Sequence, residues 1–368
     1  MKKILIVADT YLPKIDGIVR FLTEVVPRLD SVDITLLVPD FGKSWNDKEI
    51  RLPVSRIISV SGYSPIKLSF SNFHTIRDAV KAADVVFIQG PALISYIALR
   101  YARKFEKRVV YFVHLIMWEL YANHLPRWLR WSAGILRWLT IFHWYNLCDL
   151  LIVPYKSLIP ELEALGVSAQ KSVVRLGVDP VQFTPTDKVA AKKKLGLDPH
   201  VLVIGYVGRI SEEKNVAVLF EAFQRIKHEF NVQLMIVGSG VHMKMFEHVA
   251  GVKLTGFQSD VVPYFQAMDV FVMPSLTETT SLATLEAMSC GVPVITTRVG
   301  FLKDYVRKGY NGLTFPRGNS YTLVSHLRKL LSDERLRAEL GEHARQTAHS
   351  FSWNHTARKL TEILSKSF

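Results

Sequence analysis

The chain has 368 residues, 49% hydrophobic and 21% charged, which excludes a disordered polymer and leaves room for two domains of ordinary size. Its net charge of +13 is spread over both halves, with 23 basic and 15 acidic side chains in residues 1–178 and 23 and 18 in residues 179–368. Scattered positive charge suits anionic small molecules or anionic lipid headgroups; no helix-turn-helix, zinc-finger or RNA-binding signature is present, so no nucleic-acid partner is expected. Cys148 and Cys290 lie far apart without metal or redox spacing and read as reduced core thiols of a cytoplasmic protein. The apolar run after Lys2 and Lys3 is too short for a signal-peptide core, and no stretch of about 18 apolar residues predicts a spanning helix.

In chain order, short β-rich apolar runs alternate with helical patterns. Residues 4–8, 34–38, 85–89, 109–113 and 150–153 form one set of predicted strands, and residues 201–207, 233–237, 252–254, 270–273 and 292–296 a second. Unalternating runs suit strands buried on both faces of a parallel sheet, with helices as crossovers. The pattern predicts an α/β chain of two doubly wound Rossmann-like domains. Gly177, Pro180 and Pro185 interrupt the periodicity, so domains are expected at 1–178 and 179–352, with an amphipathic helix over 353–368 completing the first.

The first βα loop contains Asp9, Tyr11, Asp16 and Gly17 and opens a helix near Asp16. After the strand at 109–113 come His114, Glu119, Tyr121, His124 and Pro126. His114 falls at a strand's carboxyl end, where open α/β sheets bind ligands; a buried structural histidine is the competing reading. Residues 126–146 read as a helix with Trp128, Trp131, Ile135, Trp138 and Phe142 on one side and Arg130 and Arg137 away from its centre. Tryptophan with arginine suits a membrane interface, while a core helix with snorkelling arginines stays open.

In the second half, Gly208 and Arg209 follow a strand and lead to Lys214 at a helix start. Arg209 can grip a diphosphate with its planar fork, and Lys214 adds a point charge. Gly238 and Gly240 form a turn after another strand, and Gly256 and Phe257 lie in a later loop. The most informative stretch runs from Pro274 to Ile295. It places Glu278 in a loop, Thr279, Thr280, Ser281 and Leu282 at a helix start, and Glu286 two turns inside the helix. Free N–H groups at such a helix start can bind phosphate. Ionised carboxylates accept hydrogen bonds from paired sugar or ribose hydroxyls.

Two glutamates separated by seven residues, followed by Ala287-Met288 and Cys290-Gly291-Val292-Pro293, resemble the signature of the family 4 retaining glycosyltransferases of the GT-B fold. The family often has Gly-Phe-Gly after the first glutamate; this chain has Thr279-Thr280-Ser281, which narrows backbone freedom there. The Asp16-Gly17 pair and the His114 segment look like the sub-group resembling diacylglycerol glucosyltransferases. The resemblance implies two domains facing each other across a cleft, with acceptor binding on the first and nucleotide-sugar binding on the second. It implies that His114, Glu278, Arg209 and Lys214 are catalytic. Gly17, Gly208, Gly238, Phe257, Thr279, Thr280, Ser281, Leu282 and Glu286 would complete the donor site, and Asp9, Tyr11, Asp16 and His124 would serve the acceptor.

The expected reaction moves a hexose with retention from a nucleotide diphosphate sugar, UDP-hexose favoured over GDP-hexose, to a hydroxyl of a membrane lipid or lipid-linked glycan. The chain would be peripheral at an anionic membrane through Trp128, Arg130, Trp131, Arg137 and Trp138. No Asp-x-Asp metal motif appears, and no metal or further cofactor is expected. Transfer to a soluble or polysaccharide acceptor is the runner-up, and a nucleotide-sugar epimerase is a further alternative.

Overall fold

The computed structural model describes residues 1–14, 16–45, 47–55, 64–124, 127–129 and 131–366, with the side chains of residues 120, 122–124 and 127 outside the description. The chain divides into two compact units, Met1–Leu176 with Trp353–Phe368, and Gly177–Ser352.

The first unit runs β1 (Lys2–Val7), α1 (Gly17–Val25), β2 (Val32–Asp40), β3 (Glu49–Pro53), α2 (Phe70–Ala82), β4 (Val85–Ile88) and α3 (Leu93–Lys104). It continues through β5 (Arg108–Phe112), α4 (Met117–His124), α5 (Ser132–His143), β6 (Leu150–Val153), α6 (Leu158–Ala164) and β7 (Gln170–Val173). Its strands form one parallel sheet in the order β3-β2-β1-β4-β5-β6-β7. β1 and β4 sit at the centre and are apolar because helices cover both faces; Ile4 to Val7 and Val85 to Ile88 are all buried.

The second unit runs α7 (Lys188–Lys194), β8 (Leu202–Val207), α8 (Val216–Ile226), β9 (Val232–Val237), β10 (Val252–Gly256), α9 (Val262–Ala267) and β11 (Val270–Met273). It continues through α10 (Leu282–Ser289), β12 (Val294–Thr297), α11 (Leu302–Tyr305), β13 (Gly312–Phe315), α12 (Ser320–Ser332) and α13 (Glu334–His349). Its parallel sheet has the order β10-β9-β8-β11-β12-β13. In each sheet the order reverses once, between β1 and β4 and between β8 and β11. At such a switch point neighbouring crossovers diverge and leave a crevice at the strands' carboxyl ends.

The chain closes with α14 (Trp353–Ser365), which returns to the first unit. Arg108 donates to the carbonyls of Ile363 and Lys366 at 2.9 Å each, and the Thr356 hydroxyl donates to Arg175 O at 2.7 Å.

Strand expectations hold for the apolar runs, with ends shifted by one or two residues. β3, β7 and β13 were not anticipated. They are edge or near-edge strands whose sequences carry Glu49, Arg51, Gln170, Lys171 and Thr314, so they lack the continuous apolar signal of a central strand. The predicted single helix over 126–146 is instead a 3-10 turn at Arg127–Leu129 followed by α5.

The basic helix α7 carries an ion pair that its composition does not advertise. Lys192 is 4% exposed and holds Asp269 Oδ2 at 2.7 Å while donating to Val201 O at 2.8 Å. Asp269 also accepts from the Val203 amide. Lys192→Met strips a buried carboxylate of its main counter-charge and is expected to cost about 3–5 kcal/mol in urea unfolding. Lys194→Met, on the exposed side of the same helix, is expected to stay within about 0.5 kcal/mol. Equal midpoints for the two variants would contradict the assignment.

Candidate active site

At the switch point of the second unit, the loop after β8 meets the loop after β11. Lys214 closes a 3-10 turn at Glu212–Lys214, and its ammonium lies 2.5 Å from Glu278 Oε1. The same oxygen accepts from the Ser275 hydroxyl at 3.0 Å. The Leu276 amide donates to Glu213 O at 2.8 Å, tying the two loops together through backbone. The side chain of Glu278 is only 8% exposed, so its charge is held by this network rather than by water.

Arg209 is exposed and hydrogen-bonds to nothing through its side chain among the described residues. Its carbonyl accepts from the buried Tyr206 hydroxyl at 2.6 Å, which fixes the loop backbone. Beside it Glu213 is buried. Burial works against its charge, but hydrogen bonds from Ser211 and its own amide, with Lys214 and Arg209 nearby, hold the carboxyl below its ordinary value. Sequence reasoning passed over Glu213 because an acidic residue in a 3-10 turn reads as solvated.

The loop between Glu278 and α10 has an unusual backbone. Ser281 caps the helix at φ 58°, ψ 77°, in the left-handed region. Its hydroxyl bonds Thr284 Oγ1 at 2.8 Å, within a buried pair. Because that hydroxyl faces the side chain of Thr284, the Leu282 and Ala283 amides open the helix without a capping side chain. Thr280 is 1% exposed, and its carbonyl accepts from Tyr305. Thr279 O accepts from the Phe301 amide. Gly300 passes so close that a Cβ there would lie 1.6 Å from Glu278 O, and its φ is +48°. Nothing in the sequence around Gly300 signals this, since the partner carbonyl is 22 residues away. Glu286 is partly exposed on the second turn of α10.

Gly208 and Gly238 are not ligand positions by conformation alone. A Cβ on Gly238 would fall 1.9 Å from Gly208 O, so these glycines let the loops after β8 and β9 lie backbone to backbone. Gly208 N donates to Val237 O, and Gly238 N to Gly256 O. Phe257, after β10, is 55% exposed.

At the switch point of the first unit the expected residues split in function. Asp9 caps α3, accepting from the Ala92 and Ile94 amides at 3.0 and 2.8 Å. Burial raises its pKa against those bonds. Tyr11 is fully buried and bonds Glu49. Asp16 caps α1 through the Ile18 and Val19 amides at 2.9 Å and accepts from Thr10. Each of these three polar groups, expected at an acceptor, is thus occupied by the scaffold. The side chain of His124, also expected there, lies outside the described residues. Gly17 differs: it is exposed at the first position of α1, and a Cβ would meet nothing within 4 Å.

His114 stacks on Phe112 at 4.3 Å and meets Phe21 edge-on at 5.0 Å. Its Nε2 is 2.8 Å from Gln89 Oε1. Burial pushes its pKa down to about 3, so the ring is neutral at physiological pH.

The tryptophan segment is not core. Trp128, Trp131, Ile135, Trp138 and Phe142 are 73, 68, 52, 53 and 50% exposed. Arg137 is exposed beside them, while Arg130 lies outside the described residues. Trp128 stands in the 3-10 turn rather than on α5. Among the described residues no helix is long and apolar enough to cross a membrane.

Two glycines separate packing from access. Gly300→Ala meets backbone and a left-handed φ, and is expected to lower stability by at least about 1–3 kcal/mol. Gly17→Ala meets no atom and is expected to be neutral or to stabilise by up to about 1 kcal/mol. Thermal and urea unfolding of both variants check this contrast.

Residues 15–182 match the model described as Glycosyltransferase Family 4, and residues 201–333 that described as Glycosyl transferases group 1. A D-inositol 3-phosphate glycosyltransferase of Stackebrandtia nassauensis is 34% identical over 203 residues, 50% of this chain and 46% of the relative. The sulfoquinovosyl transferase SQD2 of Arabidopsis thaliana is 29% identical over 312 residues, 80% of this chain and 59% of the relative. The chain thus spans about half the length of the curated relatives it matches. Anabaena HepE, solved with UDP and glucose, shares the fold at a TM-score of 0.80 and 18% identity over 100% of both chains. With both family models placed on two parallel sheets of this order, the chain belongs to the family 4 glycosyltransferases of the GT-B fold.

Proposed function

We propose that the protein is a retaining hexosyltransferase that moves a hexose from a UDP-sugar to a hydroxyl of a membrane lipid or lipid-linked glycan. The observation that carries this reading is the cluster at the β8–β11 switch point. There an exposed guanidinium, an ammonium held by a buried carboxylate and an uncapped helix start stand on adjoining loops. Such a cluster suits a leaving diphosphate flanked by a polyhydroxyl ring. Support for the UDP-hexose comes from HepE, which shares the fold and was solved with UDP and glucose. Retention is carried over from the family resemblance.

Glycosyl transfer passes through an oxocarbenium-like state, with positive charge at the anomeric carbon and negative charge growing on the diphosphate. Arg209, Lys214 and the Leu282 and Ala283 amides would stabilise that negative charge, which is the difference between ground and transition states that accelerates the reaction. Glu278 would accept from sugar hydroxyls, Glu286 from the ribose, and Phe257 would stack against the base. A neutral His114 can accept or donate a hydrogen bond to a substrate hydroxyl without adding positive charge. Gly17 would admit a ligand to the backbone at the start of α1. Front-face attack, with a diphosphate oxygen taking the acceptor proton, fits this set better than double displacement, because no carboxylate is assigned as a nucleophile. The cationic side chains take the charge-neutralising role of a divalent ion, so a chelator is expected to leave turnover unchanged.

The lipid acceptor rests on the exposed tryptophan face, an apolar surface that water does not favour. A soluble phosphorylated polyol is the second reading, suggested by relatives named for D-inositol 3-phosphate.

Incubation with radiolabelled UDP-glucose, UDP-galactose or GDP-mannose and a total lipid extract tests the reading. Label from a UDP-sugar is expected in the organic phase. Glu286→Ala is expected to weaken UDP binding by about 1.5–3 kcal/mol, roughly 10- to 150-fold, in calorimetric titration. Arg209→Ala and Lys214→Ala are expected to lower kcat. Label that stays in water, or wild-type turnover in the Arg209/Lys214 double variant, would refute the respective parts.

Anionic vesicles test the surface. The protein is expected to sediment with them, to be released by salt, and to bind neutral vesicles poorly. Replacing Trp128, Trp131 and Trp138 together by Ser is expected to abolish sedimentation without changing the unfolding midpoint, since all three are exposed. Indifference of the wild type to both vesicle types would favour the soluble acceptor.

A further inference from the structure

Residues 300–305 brace the loop that leads into α10, one carbonyl at a time. Gly300 lies so close to Glu278 O that a Cβ there would fall 1.6 Å from it. The Phe301 amide donates to Thr279 O at 2.8 Å. The Tyr305 hydroxyl donates to Thr280 O at 2.9 Å and lies 3.4 Å from Ser281 O. Burial, then the charge of Glu278, raise the pKa of that phenol well above its ordinary value, so it keeps its proton and donates. The Thr284 side chain stands beside the same hydroxyl and bonds the Ser281 hydroxyl at 2.8 Å.

Ser281 is the strained point of this loop, at φ 58° and ψ 77°. Glycine adopts a left-handed backbone without penalty, whereas the Cβ of serine crowds the following carbonyl. Such a conformation persists only where its surroundings fix it. The start of α10 depends on it. The Thr284 and Leu285 amides donate to Ser281 O at 3.1 and 3.3 Å, so the orientation of that carbonyl sets the first turn and, with it, the direction of the Leu282 and Ala283 amides. Tyr305 itself is 4% exposed, with its ring edge-on to Phe301 at 5.1 Å and tilted against Phe351 at 5.6 Å. Asn311 Nδ2 donates to Tyr305 O at 2.8 Å. A phenylalanine would fill the same ring cage. Packing therefore does not explain the hydroxyl, whereas the carbonyls of Thr280 and Ser281 do.

We infer that Tyr305 is a positioning residue, whose hydroxyl holds the carbonyls of Thr280 and Ser281 and so keeps the left-handed turn that aims the first amides of α10 at the donor's diphosphate. The inference rests on the reading that places a nucleotide diphosphate at that helix start. Tyr305 acts on the ligand only through the backbone of residues 280 and 281.

Tyr305→Phe keeps the ring and removes the hydroxyl. It is expected to weaken UDP binding about 5- to 20-fold in calorimetric titration, the size of one or two lost hydrogen bonds. In NMR-detected hydrogen exchange of the free protein, the Thr284 and Leu285 amides are expected to exchange about 10-fold faster. Glycine needs no brace to hold a positive φ. In a Ser281→Gly background the further effect of Tyr305→Phe on UDP affinity and on exchange is therefore expected to fall below about twofold, a coupling that a double-mutant cycle measures. Lys192→Met removes an ion pair just before β8, at the opposite end of the same sheet. It is expected to lower stability and leave UDP affinity unchanged, which separates positioning from stability.

Wild-type UDP affinity or wild-type exchange in Tyr305→Phe, an equal loss with and without Ser281→Gly, or an equal loss of affinity in Lys192→Met would each overturn the inference. These outcomes are separable from failure of the functional reading. If the wild type binds no UDP, that reading falls, while the exchange comparison still decides whether Tyr305 holds the turn.

Discussion

Lys214 and Glu278 stand on loops of adjacent strands, 64 residues apart in sequence, and their 2.5 Å ion pair exists only because β8 and β11 are neighbours in the sheet. The loops after β8 and β11 are arranged around that contact. A carboxylate whose side chain is 8% exposed needs its partners in place, since a buried polar group left without them costs its full desolvation. Ser275 supplies one bond and Lys214 the other. The backbone bond from Leu276 to Glu213 keeps the loops at that separation. The ammonium is thereby held in one place, with less rotamer freedom than an unpaired lysine has.

The loops are held by backbone as much as by side chains. At Gly238 and Gly300 an added Cβ would fall within 2 Å of a carbonyl oxygen of another loop, and at Gly208 it would meet the Tyr206 hydroxyl. Ser281 adopts a left-handed conformation that glycine would adopt without cost. Its hydroxyl bond to Thr284 partly offsets that strain. The Thr279-Thr280-Ser281 sequence thus gives a stiffer turn than Gly-Phe-Gly would, with Thr280 and Ser281 buried and the Thr280 carbonyl held by Tyr305.

Polar residues at the strand ends of the first unit are engaged in different ways. Asp9 and Asp16 saturate amide groups at the starts of α3 and α1. A carboxylate there is favoured by the helix dipole and by the unpaired N–H groups. Through these bonds they fix the start of α1 at Gly17 and that of α3 after Gln89. His114 packs against aromatic rings and lies beside the Gln89 amide. Trp128, Trp131 and Trp138, before and on α5, are exposed, which separates them from the aromatic residues that pack around Tyr145 and Trp144.

The apolar runs at residues 4–8, 85–89, 109–113 and 270–273 were readable as central strands because a parallel sheet buried on both faces demands unbroken apolar sequence. The placement of Glu278 in a loop and of Glu286 inside the helix that follows was readable because both depend on local sequence; the left-handed turn at Ser281 between them was not. Edge strands such as β7 were not, because their polar residues are permitted by solvent and leave no pattern. Neither was Gly300, whose constraint is a carbonyl on another loop. That Asp9 caps α3 belonged to tertiary structure, since the amides it bonds lie more than 80 residues downstream. So did Gln89, an ordinary polar residue after a strand until folding sets its carbonyl against His114. Sequence determines what each short segment can form; which distant groups meet is decided only when strand order brings their loops to the same end of a sheet.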